Sequence, residues 1–167
     1  MAQLDPRLQA DESHPIDIAE AVVARRAWEF DRLSDDRIVV TVAGQWRRYD
    51  LTLAWSARDE VLRLICSFDL DPPEARMAAL YQVLNLANDR VWDGAFTYWD
   101  QQRLMVWRYG LVLSGQAPVG PAQIDRMIRS AIQGCERFYP AFQLACRGDA
   151  EPQAAIGIAI AEAAGRA

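Results

Sequence analysis

The chain of 167 residues has no lysine and a single histidine, His14. All 18 basic residues are arginine, a usage that speaks of coding bias rather than of function. One histidine near the N-terminus provides no anchored base for a Ser-His-Asp or Cys-His arrangement, so histidine-based catalysis has no support. Structural zinc of the thiolate and imidazole kind fails for the same scarcity. Cysteine is sparse too. Cys66, Cys135 and Cys146 are odd in number, sit in apolar contexts and lack metal-ligand spacing, which makes them reduced core thiols. The motifs GxxxxGK[ST], GxGxxG and GxSxG are absent, and with them any sequence support for a phosphate cradle or nucleophile elbow. No apolar run approaches the roughly 20 residues that cross a bilayer, and the opening MAQLDPRLQADESHP has no charged-then-apolar secretion signal. The expectation is a cytoplasmic protein with no membrane span.

Positive charge is also in deficit. Arginines number 18 against 23 acids, a net charge of −5, which repels the phosphate backbone that supplies most nonspecific nucleic-acid affinity. No nucleic-acid partner is expected. What the chain does have is apolar residues, 51% of the total against 25% charged, enough for one folded domain that buries roughly 70% of its unfolded surface.

Residues 1–14 are polar and aperiodic and read as a flexible tail, leaving 15–167 as a single domain. Ile16, Ala19, Val22 and Val23 recur at helical spacing. From Trp28 to Phe68 the period falls to two, through WEFDRL, RIVVTVA, QWRRYDLTLAW and VLRLICSF, predicting three or four antiparallel strands. Tyr49, Leu51, Leu53 and Trp55 share one face of the third. Asp71 and two prolines open a helix with Met77, Leu80, Leu84, Ala87 and Val91 as its stripe, and Gly94 is placed at its C-terminus. AFTYW and LMVWRYGLVL form a hairpin about DQQR, with Met105, Trp107, Tyr109, Leu111 and Leu113 on the covered side. Pro121 begins an amphipathic helix that Pro140 should kink or end before AFQLA resumes it for a turn or two, and an alanine-rich helix closes the chain. Strands in hairpins rather than alternating with helices give an α+β domain: a twisted antiparallel sheet with helices on one face.

Carboxylates are the one remaining chemistry. Asp69, Asp71, Asp93 and Asp100 lie at element ends, where paired acids could hold a cation or act as acid and base; capping and turn duty explains them more simply, as it does Asp35 and Asp36. The alternative is therefore a small-molecule or cation-binding domain, or a hydrolase, built on carboxylates and arginines such as Arg63, Arg108 and Asp100. Tryptophans weigh more. Trp55 and Trp107 belong to the core. Trp46 and Trp99 fall on the opposite parity with Ala95, Thr97, Leu104, Val106 and Val112, a second face too apolar for free solvent, read here as a self-association or partner surface unless the C-terminal helix covers it. No cofactor and no metal is expected.

Together, WEFDRLSDDRIVVTV, RRYDLTLAW, CSFDLDPPEAR, LANDRVWDGAFTYW and CERFYPAFQL resemble the YbjN family of proposed bacterial sensory transduction regulators, from about Trp28 to Leu144. The resemblance implies a fold like that of type III secretion chaperones and a homodimer. It carries over no catalytic residue. The reading is a non-enzymatic, chaperone-like binding or regulatory module, probing an unknown protein partner.

Overall fold

A computed structural model describes residues 14–114 and 119–164. Its elements run α1 (Pro15–Arg25), β1 (Glu29–Ser34), β2 (Arg37–Ala43), β3 (Arg48–Ser56), β4 (Val61–Asp69), α2 (Met77–Asn88), β5 (Ala95–Trp99), β6 (Leu104–Val112), α3 (Pro121–Arg147) and α4 (Pro152–Ala164). The six strands form one antiparallel sheet in the order β1-β2-β3-β4-β6-β5. This is the α+β architecture expected from strands that come in hairpins. The tail proposed for residues 1–14 lies outside the described residues except for His14, whose ring accepts from the Ile16 N–H at 3.3 Å and caps α1.

Alternation sets the covered side. Ile38 and Val40 on β2, Tyr49, Leu51 and Leu53 on β3, Leu62, Leu64 and Cys66 on β4, and Met105 and Trp107 on β6 are all buried. α1 covers the β1–β3 half and α3 the β4 and β6 half, while α2 reaches β5. α4 rests on α3 and α2, burying Ala155, Ile156 and Ala159 there. Within the single chain α4 therefore packs chiefly on helices.

Three local expectations need correcting. Asp71 does not cap α2. Pro72 and Pro73 keep the chain extended, a 3-10 turn over Glu74–Arg76 precedes the helix, and Asp71 instead pairs with Arg103 across the sheet's end. Gly94 is not the C-terminal residue of α2, which ends at Asn88 with Asp89 still right-handed; glycine is required at 94 because a Cβ would collide with the Trp107 indole. At Pro140 one half of the expectation gives way and the other holds: the helix does not end there, and it runs on through AFQLA to Arg147. An internal proline costs about 3 kcal/mol, but Phe138, Ala141, Phe142 and Ala145 are all fully buried on either side of it. At about 25 cal/mol per Å² of apolar surface, that burial exceeds the lost hydrogen bond.

The three thiols are buried and unpaired, with Cys66 and Cys135 sulfurs 3.6 Å apart. Burial pushes the Cys146 thiol up to about 11 and raises Cys135 as well, and it drives the Tyr49 phenol upward with help from the neighbouring Glu136 carboxylate. Each group holds its proton more tightly folded than unfolded. Their contribution to stability is therefore whole below the ordinary values, about 8.5 for thiol and about 10 for phenol, and drains away as pH climbs past them. Urea midpoints should be flat from neutral pH to about 8 and then fall; a midpoint that rises above pH 9 would contradict this.

Candidate functional site

The strand residues buried beneath α1, α2 and α3 are of one parity, which leaves the opposite parity on a face with no helix packed over it among the described residues. Its middle strands line up in rows. Thr52, Ile65, Arg108 and Ala95 form one, Asp50, Ser67, Val106 and Thr97 the next, and Asp69, Leu104 and Trp99 a third. A shallow groove of about 850 Å³ runs over Ile65, Thr97, Trp99 and Arg108. Val106, in its middle row, is fully buried yet stands apart from the main hydrophobic cluster, so this face has an apolar centre of its own. Val112 at its far end is 63% exposed.

Six of the seven residues expected on the second face are therefore there: Ala95, Thr97, Trp99, Leu104, Val106 and Val112. Trp46 is not. It sits in the β2–β3 connection and stacks on Tyr139 of α3, ring centroids 6.2 Å apart and 25° from parallel, on the helix side of the sheet. Parity failed there because residues 44–47 are outside the strand. The turn folds back toward α3, where the Glu136 carboxylate accepts from the Gln45 N–H at 3.1 Å.

The acids do not converge. Asp69 pairs with Arg47, Asp71 with Arg103, and Asp93 accepts from the Ser130 hydroxyl, while Asp100 stands on the β5–β6 turn. No group of three or more histidine, cysteine or acidic side chains with metal-holding geometry occurs among the described residues. Arg63 and Arg108 do share the bare face, but Arg63 is paired to Asp59 and Asp100 lies at the opposite end of β5 from Arg108's partner Ala95. Trp55, expected in the core, is only half-buried, edge-on to His14 with centroids 6.5 Å apart.

A second concavity, of about 740 Å³, was not foreseen. It opens between α3 and the loop at 89–94. The α3 wall carries Arg126, Ser130, Gln133 and Arg137, spaced i, i+4, i+7 and i+11 and so aligned on one helical stripe. Arg90, Trp92 and Asp93 face it, and Trp107 and Phe138 form the floor. Two clamps hold the walls: Ser130 donates to Asp93, and the Asn88 amide grips both main-chain groups of Phe96, at 2.7 and 3.0 Å. The arginine stripe of α3 was readable in the sequence beside the apolar one. Arg90 and Trp92, brought in by a loop, were not.

A six-stranded antiparallel sheet carrying four helices makes this a small open-faced α+β protein. Residues 15–144 match the sequence model of the YbjN family, described as "Putative bacterial sensory transduction regulator". The match spans most of the chain, which belongs to this family. No curated protein and no solved structure matches it. No helix among the described residues is long and apolar enough to cross a membrane.

Proposed function

We propose that this protein is a non-catalytic regulatory module that works as a homodimer, with the bare sheet face as the contact between copies and the type III secretion chaperones as its nearest functional analogy. The observation that carries the reading is the set of accessible apolar residues on a sheet face with no helix packed on it: Val112, 63% exposed, with Ala95 exposed and Trp99 and Leu104 half-buried. Size supports it. Six strands about 4.8 Å apart and up to nine residues long present about 24 by 30 Å, on the order of the 800 Å² per partner of a standard interface. Cytoplasmic residence and a further protein partner belong to the same proposal.

Light scattering on the eluted protein should give about twice 18.8 kDa at micromolar concentration. Trp99→Arg and Val112→Arg should each give monomer while the far-ultraviolet dichroism is unchanged. A wild-type monomer at that concentration would remove the dimer, and a dimer indifferent to both changes would move the contact off this face.

A further inference from the structure

We propose that the cleft between α3 and the 89–94 loop binds a small phosphorylated ligand carrying a flat ring, of the nucleoside-phosphate class. Four arginines line it against one carboxylate, Asp93, in a chain whose net charge is −5. Only one of the four is committed: Arg129 pairs with Asp125 at 2.9 Å, whereas Arg90, Arg126 and Arg137 have no ion-pair partner among the described residues. Two of those three are already oriented. Arg90 donates to the Leu86 carbonyl at 2.7 Å, and the Arg137 guanidinium lies over the Phe138 ring, 5.0 Å from its centroid. Unpaired guanidiniums held in place on converging walls suit phosphate oxygens, which they bind in bidentate fashion.

The ring follows from tryptophan. Trp92 is 98% exposed on the lip of the cleft, so its indole contributes almost nothing to the core and offers a free face for stacking. Trp107, also in the lining, is 1% exposed and its Nε1–H finds no acceptor among the described residues, although a buried indole donor is ordinarily satisfied. From Arg126 to Arg137 the α3 wall runs about 16 Å, room for base and phosphates in line. The volume, about 740 Å³, is that of a small-ligand site. A peptide is the poorer fit, because the long wall is a helix whose backbone bonds are spent internally and which gives a main chain nothing to pair with.

Calorimetric and tryptophan-fluorescence titrations of the full chain with ADP, adenosine, pyrophosphate and a glutamate-rich peptide at low ionic strength test this. ADP should bind saturably, quench fluorescence, and exceed both adenosine and pyrophosphate. Arg126→Ala and Arg137→Ala should each weaken ADP by about tenfold or more, Trp92→Ala should erase the preference for ADP over pyrophosphate, and Arg48→Ala on the other side of the sheet should change nothing. Absence of ADP binding at millimolar concentration, indifference to both arginine changes, pyrophosphate binding as tight as ADP, or tighter binding of the peptide would each overturn the assignment. Light scattering reads the oligomer separately, so the two proposals fail independently.

Discussion

Trp107→Ala is expected to destabilise the fold by about 3–5 kcal/mol, the range for removing a fully buried large aromatic. The indole is 1% exposed and is held on three sides. Phe96 meets it edge-on with centroids 5.0 Å apart, Gly94 lies against its pyrrole edge and Gly134 of α3 against its benzene edge. The void left by alanine would be bounded by main chain on two sides, β5's lead-in and α3, and backbone cannot collapse into a hole as a flexible side chain does. Urea or thermal unfolding of wild type and variant measures it directly. A cost under about 1 kcal/mol would show that the ring is not the keystone that its burial makes it.

The second large effect runs against helix propensity. In an ordinary helix interior, replacing glycine by alanine gains about 1 kcal/mol. Gly134→Ala in α3 should instead cost about 1–3 kcal/mol, because its Cβ would fall 2.6 Å from Trp107 Cζ3 and 2.9 Å from Cε3, and a ring hemmed in by Gly94 has nowhere to retreat. The two sites are coupled, and a double-mutant cycle isolates the coupling. With Trp107 reduced to leucine, Gly134→Ala should become neutral or stabilising. If it costs the same in both backgrounds, the conflict is not with the indole.

Sequence periodicity carried the sheet well. Apolar residues at every second position of β2, β3, β4 and β6 can satisfy one covered face only, and DQQR between two apolar runs leaves no alternative to a hairpin. The same alternation placed six of seven second-face residues. It misplaced Trp46, where parity was carried past the end of a strand into a turn. Capping rules misled at Asp71 and Gly94 for a related reason: both residues answer to distant partners, Arg103 and Trp107, that no local pattern discloses. Pro140 was overridden by tertiary burial around it. The arginine cleft stayed hidden because it is assembled from α3 and a loop some 35 residues earlier, and arginines spread over such distances look like ordinary solvated surface.

The outermost strands bear on how copies of this chain can meet. β1 is interrupted by an irregular register between Arg32 and Ser34, and the Arg32 side chain binds the carbonyls of Ser34 and Asp35. β5 is only five residues long, and Asn88 already occupies the Phe96 amide and carbonyl. Both flanks thus refuse a seventh strand, and the ribbon has no template from which to lengthen. Growth by strand addition along the flanks is thereby discouraged, and a dimer of the kind proposed above would have to form through the broad side of the sheet.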